Sequence, residues 1–203
     1  MRHDKPLPHG LRRAALATAA AFVLSACSVL GGGEPPRAIY DVSAPSGLAD
    51  AGTTAAQLLI PEPNAIGALD TERIAVRPDS VRIEYLAGSQ WTDRVPVLVQ
   101  ARLIEAFENA GIAAVGRPGE SLAIDYRVIV DVRSFEFEAL THTARVALAV
   151  RLLDDRDGRV VAQQTFTGAS ATATDSAGDI VLGLDAALGT ALSGLVRWTL
   201  AAV

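Results

Sequence analysis

Lysine is nearly missing from this 203-residue chain: Lys5 is the only one, and every later positive charge is an arginine. Cysteine is as scarce, with Cys27 alone, so no internal disulfide can form. Histidine occurs at His3, His9 and His142 only. Aromatics make up 5% of residues although 50% are hydrophobic, so the core must be built mainly from aliphatic side chains. Each scarcity removes a class of chemistry. Without a lysine after residue 5 there is no Walker-type phosphate loop, no Schiff base and no lysine general base. The net charge of −5 argues against nucleic acid, whose phosphates demand a positive surface. The apolar fraction is too high for a disordered chain.

What is present begins with an address. Arg2, Lys5, Arg12 and Arg13 give a basic start, opposed only by Asp4. Residues 14–24 then run without a charge. As a helix that run spans roughly 16 Å at about 1.5 Å per residue, short of a bilayer core of about 30 Å. This is the pattern of a secretory signal. It ends in Leu24-Ser25-Ala26-Cys27, which resembles a bacterial lipobox, in which a lipid joins the cysteine thiol and the peptide is cut just before it. We therefore expect a signal over 1–26, a lipidated tether over 27–37 and one domain over 38–203. Ser28, in place of aspartate, favours the outer over the inner membrane of a Gram-negative envelope, with the domain facing the periplasm. Losing four of 18 basic and one of 23 acidic residues leaves 14 arginines against 22 carboxylates, a net charge of −8. Beyond the signal no uninterrupted apolar run reaches 18 residues.

The spacing along the domain predicts a single α/β unit with a mixed or antiparallel sheet. A short strand is expected at 38–42, a loop at 44–55 and a brief apolar run at 57–60. Val81, Ile83 and Tyr85 alternate with Arg82 and Glu84, which reads as half of a hairpin with 73–76. A helix is expected over about 92–110: Thr92 or Asp93 can cap it, Pro96 falls in the first turn, and Gly111 suits its end. Leu122, Ile124, Tyr126, Val128, Val130 and Val132 share one face of a long strand, with Asp125, Arg127, Asp131 and Arg133 on the other. Residues 145–153 and 159–167 complete a meander around the turn Asp154-Asp155-Arg156-Asp157-Gly158, whose Asp-Gly pair accepts positive φ. A second helix over about 177–201, capped by Asp175 or Ser176, carries an apolar stripe to cover the sheet. Its Gly183, Gly189 and Gly194 lower its own stability but permit close packing.

Chemistry-bearing residues are sparse. His142 has no histidine or cysteine companion, and acid–base work would fall to Asp125, Asp131, Glu136 or Glu138. Asp125 and Asp131 alternate with arginines, which reads as an ion-paired face. No set of nucleophile, base and orienting group is legible, so no enzyme activity, cofactor or metal is expected.

Arg73-Ile74, Tyr85-Leu86 and Gln90-Trp91-Thr92-Asp93, followed by Gln100-Ala101-Arg102-Leu103, together with the Cys27 anchor, resemble the auxiliary lipoprotein family of ABC-type transport systems. The resemblance implies a compact α/β fold and a non-catalytic subunit. It also implies partners: an MCE-domain substrate-binding protein and, through it, a permease and an ATPase that move lipids or other hydrophobic molecules between the two membranes. The contact residues to expect are Tyr85, Trp91, Asp93 and Arg94, because aromatic and arginine side chains are enriched at interface hot spots. Each has a structural alternative, Trp91 as a staple before the helix and Asp93 as its cap. A different role is that of a lipid carrier, with phospholipid in a groove lined by the alanine-rich second helix.

Overall fold

The computed structural model describes residues 37–120 and 123–203. The signal, Cys27 and the tether up to residue 36 lie outside the described residues, as does Leu122. Strands β1 (Ala38–Tyr40), β2 (Leu58–Leu59), β3 (Asn64–Ala65), β4 (Arg73–Arg77) and β5 (Glu84–Trp91) precede helix α1 (Val95–Asn109). After it come β6 (Val115–Gly116), β7 (Tyr126–Glu138), β8 (Thr143–Asp154), β9 (Val160–Ala171) and helix α2 (Ala177–Ala202). Among the described residues the strands form one nine-stranded mixed sheet.

Strand β7 organises that sheet. One edge pairs antiparallel with β8, which pairs antiparallel with β9. The other edge is shared in turn by β2, β3 and β4, all parallel to it. β5 returns antiparallel beside β4, and β1 lies parallel on its outer edge. The meander expected from alternation is therefore present, and the parallel half is added by chain-distant pairings. The turn closing β8 onto β9 has Gly158 at φ 69°, with its N–H donating to the Asp154 carbonyl (2.9 Å).

The structure differs locally from the sequence reading at four places. The Asp79 carboxylate accepts from the backbone N–H groups of Val81 and Arg82 (3.0 and 2.9 Å). That Asx-type turn spends Val81 in the connection, so Val81 is exposed and β5 starts at Glu84. The long strand begins at Tyr126 and runs past Val132 through a register shift next to Arg133. The extra residue moves the buried set from Val128, Val130 and Val132 to Phe135 and Phe137. Helix α1 begins one residue after Arg94 and has no side-chain cap, so neither Thr92 nor Asp93 serves as one. Pro96 sits in its first turn and Gly111 follows it at φ 82°, both as expected. β8 starts two residues before and ends one residue after its expected bounds, and β9 runs four residues past its expected end.

α2 is long and apolar enough to cross a membrane by length and composition, with a mean hydropathy of 1.5 over its best window. It serves instead as the core helix. Ser176 caps it, its hydroxyl accepting from the Asp179 N–H (3.2 Å). Ile180, Leu184, Leu188, Leu192 and Leu195 are buried beside Ala144, Val146, Leu148, Val150 and Leu152 of β8. The approach is too close for side chains at two points. A Cβ on Gly168 of β9 would lie 1.8 Å from the Ala187 carbonyl oxygen, and one on Gly183 would lie 2.9 Å from Ala144 Cβ. Gly189 has no such neighbour, so the packing role covers Gly183 and Gly194 but not that glycine.

Candidate functional site

The four residues singled out from sequence fall around one short stretch of chain, residues 62–73. Trp91 ends β5 and faces inward, with no exposed surface. Its ring meets Phe135 edge to face at 5.6 Å and 81°, the favoured aromatic geometry. It is a core residue packed against the sheet, and it has no surface to offer a partner. Tyr85 is half-buried; its hydroxyl donates to the Ala68 carbonyl (3.2 Å), and the Arg73 guanidinium lies 3.6 Å above its ring. Asp93 is exposed and accepts from the Arg94 N–H (2.7 Å), and it does not cap α1.

Arg94 is the most connected of the four. Its guanidinium donates to Asp70 and, at 2.7 Å, to Glu62. Both carboxylates raise its pKa further, Asp70 first, so it carries its charge at every working pH. All three side chains keep between 39% and 47% of their surface exposed. Tyr85, Asp93 and Arg94 thus remain near the surface, and Tyr85 and Arg94 are fastened to the loop that carries Ala68 and Asp70. Sequence reasoning missed Glu62 and Asp70, which lie in loops without periodicity.

Across the sheet face that bears no helix, a second polar region lies on β7, β8 and β9. Asp131 accepts from the Asn64 side-chain amide (3.2 Å) and has Arg151 at 3.7 Å and Arg133 at 3.9 Å. Ala149 lies opposite both Asp131 and Thr165 in the ladder. Its short side chain leaves an open depression of about 310 Å³ among Asp131, Arg133, Arg151, Gln163 and Thr165. The alternation in β7 already marked this face as charged.

The remaining carboxylates weighed for acid–base work each have an arginine close by. Glu136 is buried and receives two bonds from Arg77 (2.7 and 2.9 Å). Glu138 is held by Arg145 (2.7 Å), which lowers its pKa. Asp125 accepts from the Gln57 N–H (3.0 Å) and has Arg156 at 3.7 Å. His142 pairs with Asp175 (2.7 Å) at the exposed end of the sheet. This is the arrangement of structural ion pairs rather than of groups poised to move a proton. Among the described residues no group of three or more His, Cys, Asp or Glu could hold a metal ion.

With this geometry in view, the likeness to other proteins is specific. Residues 40–194 match the ABC-type transport auxiliary lipoprotein component family. The chain belongs to that family. A solved protein of Xanthomonas campestris shares 30% identity with it, at a TM-score of 0.73, over 81% of this chain and 95% of that one. A second solved, uncharacterised protein, 12% identical with a TM-score of 0.64, covers 81% of this chain and 99% of its own and shares the fold alone. An uncharacterised protein of Bradyrhizobium diazoefficiens is 35% identical over 177 residues, 85% of this chain. This chain spans about half (48%) of that relative's length. That family is described as an auxiliary lipoprotein component of ABC-type transport.

Proposed function

We propose that this protein is a membrane-anchored accessory subunit of an envelope ABC transport system that moves lipids or other hydrophobic molecules between inner and outer membranes. It is tethered through a lipid on Cys27, faces the periplasm, and sits on the outer membrane in keeping with Ser28. It acts by docking on an MCE-domain substrate-binding protein, and through that on the permease and ATPase, without chemistry of its own. The observation that carries the reading is the family match over 40–194. The surface supports it: carboxylates tied up by arginines, and a Tyr85–Asp93–Arg94 region with aromatic and arginine character suited to a protein contact.

The carrier reading has one observation in its favour. A depression of about 440 Å³ is lined in part by Leu59, Pro61, Pro118 and Ile124, a volume within the range of small-ligand sites of about 300–1,000 Å³. Against it, Arg117, Glu120 and Arg127 also line that depression, and α2 is packed too closely on the sheet to line a groove. Affinity purification of the full-length protein from solubilised membranes tests both readings. Recovery of transport components supports docking. Recovery of stoichiometric phospholipid and no transport component supports the carrier and removes docking.

A further inference from the structure

Among the described residues, the three most exposed large hydrophobic side chains are Val81 (84%), Leu140 (78%) and Leu182 (68%). They belong to three different elements yet share one end of the sheet. Val81 is in the β4–β5 turn and Leu140 in the β7–β8 turn. Those turns are neighbours, because Arg77 pairs with Glu138 and the Ala139 N–H donates to the Arg77 carbonyl (3.0 Å). Leu182 precedes Gly183, which packs on Ala144 and Thr172; Ala144 in turn pairs with Phe137, one residue from the end of β7. Turns are ordinarily polar, and the turn at the opposite end, 154–158, is four charged residues and a glycine. Val160 and Val161 near that end are only 45% and 40% exposed.

The direction of β1 gives this end a neighbour. β1 runs parallel to β5, with Ala38 opposite Ser89 and Tyr40 opposite Trp91. β5 starts at Glu84 at the apolar end, so β1 heads away from it, and Ala38 is the end of β1 nearest to it. Ser89 is five residues from Glu84, about 17 Å of strand at ~3.4 Å per residue. Cys27 precedes Arg37 by ten residues, which can span up to roughly 35 Å. A lipid on Cys27 therefore has the reach to bring this end to the membrane.

We propose that the end bearing Val81, Leu140 and Leu182 rests on the lipid surface that holds Cys27, with these side chains in the headgroup region. The inference rests on the reading of Cys27 as acylated. Around this end Asp79, Glu84, Glu136, Glu138, Asp175 and Asp179 outnumber Arg77, Arg82, Arg145 and His142, so the surface it fits is zwitterionic rather than anionic lipid. Apolar side chains among polar neighbours are the pattern of an interfacial contact.

The test uses the full-length acylated protein in phosphatidylethanolamine–phosphatidylcholine vesicles, without other proteins. Val81→Cys, Leu140→Cys, Leu182→Cys and, as control, Val160→Cys each carry a nitroxide. The expected result is that oxygen relaxes the labels at 81, 140 and 182 more strongly than a water-soluble nickel chelate does, with the order inverted at 160. Four water-exposed labels overturn the proposal. Shielding that arises only after a transport component is added overturns it too, because the end is then a protein contact. The intact mass of the N-terminal peptide reports acylation of Cys27 separately, so a failed anchor is told apart from a failed contact.

Discussion

On the helix-covered face of β7–β9 the side chains are Val128, Val130, Val132, Phe135 and Phe137, then Ala144, Val146, Leu148, Val150 and Leu152, then Phe166 and Gly168. On the reverse face of the same strands they are Arg127, Asp131 and Arg133, then Arg145, Ala149 and Arg151, then Gln163 and Thr165. The first set is buried almost without remainder, and α2 comes within van der Waals range of its backbone. The second set meets water, and its ion pairs at Asp131 are longer than hydrogen bonds. One face holds the domain together. The other carries little of the stability, because exposed pairs contribute only about 0.2–1 kcal/mol each.

Substitutions in the covered layer should therefore destabilise far more than those on the polar side. The largest effect is expected at Trp91. Trp91→Ala removes a fully buried ring from Phe135 and should cost about 3–5 kcal/mol in urea unfolding. A loss as small as that of a surface residue would place Trp91 on the contact side after all. Next is Arg77→Ala, which strands the buried Glu136 carboxylate. Arg77 is itself 26% exposed, so the cost should fall to about 2–3 kcal/mol, below the 3–5 of a fully buried pair. Adding Glu136→Gln should recover part of it. Gly168→Ala comes third, at about 1–3 kcal/mol from overpacking against the Ala187 carbonyl.

Much of the covered face was legible because its period is simple. Strict alternation in β8 and the Asp-Gly turn predict the meander, and the helical spacing of Ile180, Leu184 and Leu188 predicts α2. What was not legible depends on residues far apart in the chain. The fate of Trp91 is decided by Phe135, which is brought inward by a one-residue register shift at Arg133 that no local pattern announces. The parallel pairing of β2, β3 and β4 along one edge of β7 likewise has no signal in strands of two to five residues. At the candidate site, Tyr85 and Arg94 stood out by residue type, whereas Ala68, Asp70 and Glu62 come from loops.

A smaller effect is expected at the exposed β4–β5 turn. Arg82 and the N–H groups of Val81 and Arg82 hold the Asp79 carboxyl at about 2, below its ordinary 3.8. A depressed folded-state pKa contributes stability that is complete above 3.8 and is lost as pH falls toward 2. Asp79→Asn should therefore flatten the stability curve between pH 4 and 2 and leave its neutral-pH shape unchanged, as read by thermal unfolding across that range.

If the charged surface serves a partner and the buried layer serves the fold, binding and stability should separate under mutation. Arg94→Glu in the full-length protein tests this most directly, read by co-purification of transport components alongside thermal unfolding. The expected result is a folded protein whose melting temperature falls only modestly, because both ion pairs of Arg94 lie at the exposed surface, together with loss of the transport components. Wild-type recovery of those components from a folded Arg94→Glu protein would contradict it.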